Sequence, residues 1–135
     1  ARDRQLYQRQ VERIIRELAD AGDVVIVGRG SQVVLRDRPD VLRVRVVAPL
    51  EVRVAWLRQE KNISAEAARA CLEASDRARA RYLQRGYHVQ LDDPTLYHLI
   101  INTGLLVMAL AVNLVVQMFQ VWSGTTVGEG HAPRL

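Results

Sequence analysis

Two short segments of this chain carry residue types suited to holding an anion. The first is Gly28-Arg29-Gly30, directly after the apolar run Val24–Val27. In open α/β sheets, ligands bind at the carboxyl ends of strands. Glycines there let a ligand approach the backbone, and a guanidinium between them offers a planar fork of donors to a phosphate or carboxylate. A surface arginine in a tight turn would read the same way, so the tripeptide alone leaves both readings open. The second segment is Ser75-Asp76-Arg77-Ala78-Arg79-Ala80-Arg81-Tyr82-Leu83-Gln84-Arg85. On a helix, Arg77, Arg81 and Arg85 share a face, and like charges at that spacing cost about 0.2–0.5 kcal/mol per pair. A cost of that size is tolerable where an anion is to be bound. Asp76 and Arg79 are three apart and can pair on a neighbouring face, which would fix the guanidinium in one orientation. A solvated charged helix has the same spacing.

A third candidate is the pair Asp92-Asp93. Adjacent carboxylates can hold Mg²⁺ or serve as acid and base. Before Pro94, however, Asp93 is well explained as a helix cap. Cys71 is a lone cysteine, so no internal disulfide is available and a reducing cytoplasm fits. His88, His98 and His131 have no metal-ligand spacing with it, and no metal site is expected.

The bulk composition agrees with an anionic ligand. The formal net charge is +4, and 18 of the 19 basic residues are arginine, Lys61 being the exception. Compositional bias of the genome produces the same total, so the placement of the arginines matters more than their number. At 135 residues, with 49% hydrophobic and 25% charged residues, the chain can bury a core and is of single-domain size. The start, with Arg2, Asp3 and Arg4, leads into no apolar stretch and is not read as a signal peptide.

The elements that must position these residues follow from periodicity. Tyr7, Val11, Ile14, Ile15 and Leu18 recur at helical spacing over residues 3–21, and Gly22 is the expected stop. Val24–Val27 and Leu42–Val47 read as strands, the second closed by Pro49, and Leu99–Ile101 as a third. Residues 50–60 read as a helix. Ser64 is a candidate N-cap for a long helix to about Arg85, stopped by Gly86. A final helix is expected over about 105–122, and the Gly-, Thr- and Pro-rich residues 123–135 read as a fraying tail. Strands alternating with helices predict an α/β fold: a mainly parallel sheet flanked by helices, in one unit over residues 1–122.

The last helix has a competing reading. Leu105–Trp122 spans 18 residues without a formal charge, near the lower limit for a membrane span. Asn113, Gln117 and Gln120 are spaced by four and three and form one polar stripe, as on a helix packed against a sheet. A packing helix is therefore the expectation, and membrane attachment the weaker alternative.

Taken in order, the segments resemble the cytidylate-kinase-like family of P-loop nucleoside monophosphate kinases, from about Val11 to Val115. The likeness rests on Val24-Val25-Ile26-Val27-Gly28-Arg29-Gly30, Leu35-Arg36-Asp37-Arg38-Pro39-Asp40-Val41-Leu42, Val47-Ala48-Pro49-Leu50-Glu51-Val52-Arg53-Val54, Ser75-Asp76-Arg77-Ala78-Arg79, Asp92-Asp93-Pro94-Thr95-Leu96-Tyr97 and Ile101-Asn102-Thr103-Gly104. It implies a partial three-layer kinase fold and phosphoryl transfer from ATP, with Mg²⁺, to a nucleoside monophosphate such as CMP or dCMP. It makes Gly28, Arg29 and Gly30 the acceptor-binding turn. It makes Asp76, Arg77, Arg79 and Arg81 part of an arginine-rich lid, the arginines serving transfer and Asp76 the substrate side. Positioning and charge stabilisation dominate such chemistry.

The departures are specific. The family often has Gly-Arg-Asp where Gly28-Arg29-Gly30 stands, and an aspartate at the position of Val47, so the base-recognising carboxylate is missing. The last helix is more apolar than the resemblance predicts. No G-x-x-x-x-G-K-[ST] occurs in the sequence, although that loop holds the ATP phosphates in such enzymes. The resemblance places it, and the central strand before it, N-terminal to the segment that Ala1 begins. The expectation is thus a C-terminal kinase portion, inactive alone, with Val24–Val27 and Leu42–Val47 flanking a missing strand. Direct pairing, self-association or strand donation would fill that slot. The alternatives are a non-catalytic nucleotide- or phosphate-binding module and an arginine-rich nucleic-acid binder. Against the latter, aromatics are only 5% and do not interleave with the arginines.

Overall fold

The computed structural model describes residues 2–125. Helix α1 (Arg2–Ala21) leads through Val24–Val27 and the Gly28–Gly30 turn into the short α2 (Ser31–Val34). Strand β1 (Val44–Val47) is followed by α3 (Leu50–Lys61) and the long α4 (Ala65–Tyr87). A 3₁₀ turn (Pro94–Leu96), strand β2 (Leu99–Asn102) and α5 (Met108–Thr125) complete the described chain. The two strands run parallel, with Val44 opposite Leu99 and Val47 opposite Asn102.

Local chemistry sets most boundaries. Gly22 takes φ 74° and donates its N–H to the Ala19 carbonyl, ending α1 as its sequence predicts. The Ser64 hydroxyl accepts from the Ala67 N–H at 3.1 Å and caps α4. Asp93 accepts from both the backbone N–H and the hydroxyl of Thr95, at 2.9 and 2.7 Å, so capping employs this carboxylate. That bond holds its pKa below the usual carboxylate value. Helix α4 does not stop at Gly86. It runs to Tyr87, and His88 takes the left-handed cap at φ 56°. The Gly86 carbonyl accepts from the Gln8 side chain at 3.0 Å, which ties the last turn of α4 to α1.

The main difference from the expected sheet is Val24–Val27. These residues are not a strand, and no described strand pairs with them. They keep the side-chain alternation of one: Val25 and Val27 are 90% and 88% exposed, while Ile26 turns onto the Ile15–Val34–Leu35 core. A lone extended segment has nowhere to place its N–H and C=O groups except in water. The parallel sheet of the described residues therefore has two strands, in a helix-rich α/β arrangement.

The polar stripe of the last helix lies where its spacing predicts. Ala111, Val115, Met118 and Trp122 turn inward, and Asn113, Gln117 and Gln120 are exposed opposite them. No described helix is long and apolar enough to cross a membrane. Residues 123–125 continue α5, and the rest of the expected tail lies outside the described residues.

Candidate functional site

The Gly28–Gly30 turn is an uninterrupted left-handed stretch, with φ of 79°, 57° and 72°. For the non-glycine Arg29 this conformation costs about 1–2 kcal/mol. Tertiary packing holds it. A Cβ on Gly30 would lie 2.9 Å from the Tyr87 ring and 3.2 Å from Leu83, so only glycine fits against α4. Leu83 is 1% exposed. The rings of Tyr82 and Tyr87 meet edge-to-face at 6.0 Å, and the Tyr82 hydroxyl donates to the Arg29 carbonyl at 3.4 Å. Among the described residues, the buried Tyr87 hydroxyl has no partner at full hydrogen-bond geometry, although Tyr82 and Glu12 lie near it. Burial, with Tyr82 next, pushes its pKa well above the usual phenol value.

Helix α4 thereby brings both predicted segments to one place. Arg79 lies one turn before Tyr82, on the edge of the face that docks on the Arg29 turn. Arg77 and Arg81 are exposed, with Arg77 3.9 Å from Glu73. Among the described residues, Arg29, Arg79 and Arg81 have no carboxylate within 4.0 Å.

Asp76 is engaged differently from the pairing its spacing allowed. Both of its oxygens accept from Arg53 of α3, at 2.7 and 2.8 Å, and Arg79 is only a more distant charge. The Arg53 bond, followed by the fields of Arg53, Arg79 and Arg45, holds the Asp76 carboxyl below its ordinary value. Arg45 of β1 is stacked over Tyr97, 5.7 Å from the ring centre, and donates to the Leu91 carbonyl at 2.6 Å. Arg45 falls within the predicted strand Leu42–Val47 and Arg53 within the predicted helix over residues 50–60, and periodicity marks neither as a site residue. Their roles depend on partners 46 and 23 residues away, a separation no local pattern encodes.

At the carboxyl ends of β1 and β2, the Thr103 N–H bonds the Val47 carbonyl at 2.9 Å, and the Gly104 N–H bonds Asn102 Oδ1 at 2.9 Å. A groove of about 650 Å³ opens beside this turn, lined by Val52, Trp56, Gly104, Leu105, Val107 and Met108. None of the candidate site residues lines it, although Val52, Thr103 and Gly104 of the family-like segments do. Among the described residues, no three His, Cys, Asp or Glu side chains gather as a metal site requires. The Mg²⁺ that the resemblance implies finds no such carboxylate set among the described residues.

Comparison with known proteins decides the kinship. The model of the cytidylate kinase-like family matches residues 1–105. The chain belongs to this family. A cytidylate kinase of Methanocaldococcus jannaschii is 34% identical over 107 residues, covering 75% of this chain and 55% of the relative. A cytidylate kinase of Methanopyrus kandleri is 29% identical over 102 residues, covering 70% and 53%. The chain thus spans about half the length of the curated relatives it matches. A crystal structure of an uncharacterized protein from Eubacterium ventriosum superposes with a TM-score of 0.79 at 17% identity, over 84% of this chain and 65% of that one. That likeness concerns the fold alone. The cytidylate kinase-like match includes the Arg29 turn and the whole of α4, whereas α5 lies beyond it.

Proposed function

We propose that this chain is the acceptor-binding portion of a nucleoside monophosphate kinase. It binds CMP or dCMP through Gly28, Arg29 and Gly30, with Arg79, Arg77 and Arg81 of α4 approaching the phosphates. One observation carries the reading. Among the described residues, Arg29 and Arg79 are guanidiniums without a carboxylate partner, on two elements that the Tyr82 contact joins, whereas Arg38, Arg53 and Arg69 are committed to Asp20 and Asp40, Asp76, and Glu51. An unpaired, preorganised fork is what a phosphate requires. Asp76 serves this site by anchoring α4 to α3 through Arg53, which leaves Arg79 available.

ATP and Mg²⁺ belong to the proposed reaction of the complete kinase. The sequence contains no Walker-type phosphate loop, so the chain alone binds acceptor without transferring a phosphoryl group. A purely phosphate-binding module is the second reading, and the same unpaired arginines favour it. In either case, the Val24–Val27 segment and the edge of β1, which no other described strand covers, take a further strand, by self-association or from a donor. Cytoplasmic residence fits the lone Cys71.

The test is calorimetry with CMP, ATP and a short DNA duplex at two salt concentrations, alongside a CMP phosphorylation assay. Saturable CMP binding with no turnover is expected. Measurable turnover overturns the claim of inactivity, and duplex binding stronger than CMP binding, with a steep salt dependence, replaces it with polyanion recognition.

A further inference from the structure

The proposed acceptor turn is not a free loop. Its last residue, Gly30, is buried against Tyr87 and Leu83 of α4, and the carbonyl of its central residue accepts from Tyr82. From the turn onward, Val33 and Val34 each donate a backbone N–H to the Gly30 carbonyl, at 2.9 and 3.0 Å, and Ser31 donates to Gly28 at 3.2 Å. The left-handed run that presents Arg29 is therefore clamped between α2 and one face of α4. Arg79 is one helical turn away on the same helix.

We infer that Tyr82 is a positioning residue for Arg29: its ring, edge-to-face with Tyr87 and beside Gly30, carries the hydroxyl that bonds the Arg29 carbonyl, holds the left-handed turn and joins Arg29 to the helix that carries Arg79. Acceptor turn and lid helix then act as one body, and a movement of α4 carries the Arg29 turn with it. This inference rests on the acceptor-site reading for its effect on ligand, but not for the clamp itself. Without Tyr82 the turn relaxes, and Arg29 must be ordered at the moment of binding, which weakens affinity.

Tyr82→Phe removes the hydroxyl and keeps the ring, so the fold should survive. Two measurements are needed. First, amide hydrogen exchange on the ligand-free chain should show Ser31, Val33 and Val34 exchanging at least threefold faster in Tyr82→Phe, with the amides of α3 unchanged. Unaltered exchange at all three overturns the clamp. Second, the CMP dissociation constant should rise roughly three- to tenfold in Tyr82→Phe, as loss of one hydrogen bond allows. In an Arg29→Ala background, the same substitution should add nothing, because Tyr82 acts through Arg29. An equal loss in both backgrounds assigns Tyr82 a general structural role and overturns the positioning claim. Failure of the unmodified chain to bind CMP at millimolar concentration removes the acceptor reading, and the exchange result then judges the clamp alone.

Discussion

Arg53 of α3 grips Asp76 of α4 with two parallel hydrogen bonds of 2.7 and 2.8 Å. The pair is partly shielded, with side-chain exposures of 25% and 39%, so it lies between a buried bridge and a surface pair of small value. Asp76→Ala should destabilise the chain by about 1–2 kcal/mol, as a solvent-discounted charged pair allows. Arg53→Ala should cost a similar amount, and the double variant little more than either, in urea titrations.

The same pair sets an acid limit. The Asp76 carboxyl is held below its ordinary 3.8 by Arg53. Its contribution is therefore complete above that value and is lost as pH falls through the lower folded value. Stability should drop faster on acidification in the unmodified chain than in Asp76→Asn, as urea midpoints from pH 5 to 2.5 would show.

Gly28 and Gly30 share the left-handed conformation but not their surroundings. A Cβ on Gly28 meets nothing within 4 Å, whereas one on Gly30 meets the Tyr87 ring at 2.9 Å. Gly28→Ala should cost about 1 kcal/mol from backbone conformation alone. Gly30→Ala should cost about 1–3 kcal/mol more from overpacking. Equal melting temperatures for the two variants would contradict this packing account.

His98 reports on the α5 contact. Its Nδ1 accepts from the Arg43 N–H at 2.9 Å, and its ring meets Trp122 edge-on at 5.6 Å. Burial, then the Arg43 charge, lowers its pKa below 6.5. The unfolded chain thus takes up a proton first, so stability is level above 6.5 and declines as pH falls towards the folded value. In a Trp56→Phe background, Trp122 emission should change with a midpoint below 6.5. His98→Gln should abolish both the emission change and the stability slope.

The unpaired Val24–Val27 segment should make the chain associate. The amide of Val25 has no backbone partner among the described residues, so Val25→Pro removes nothing that the monomer uses. It does remove a donor that an added strand would need. Sedimentation at rising concentration should show association by the unmodified chain, weakened at least fivefold by Val25→Pro. Equal association by both would place the contact elsewhere.

Much of this molecule was legible because it is local. The helix formed by residues Arg2–Ala21, the Ser64 cap and the Asp93 cap follow from side-chain periodicity and from hydrogen bonds spanning a few residues. The stripe of Asn113, Gln117 and Gln120 follows from the same local periodicity. Where a local rule met a distant partner, it lost. Gly86 did not stop α4, because His88 could take the left-handed cap two residues later and Gln8 of α1 satisfied the Gly86 carbonyl.

The sequence by itself determined the family order of segments, the apolar run Val24–Val27 and the presence of arginines suited to phosphate. Only the tertiary structure decided which arginines are available. Arg53 takes the carboxylate of Asp76 that local spacing offered to Arg79. It also decided that Val24–Val27 is not a strand, since pairing is a property of two segments rather than one. Gly30 is explained in the same way: its need for a missing Cβ is created by Tyr87, 57 residues along the chain, and becomes visible only when α4 folds back onto the turn.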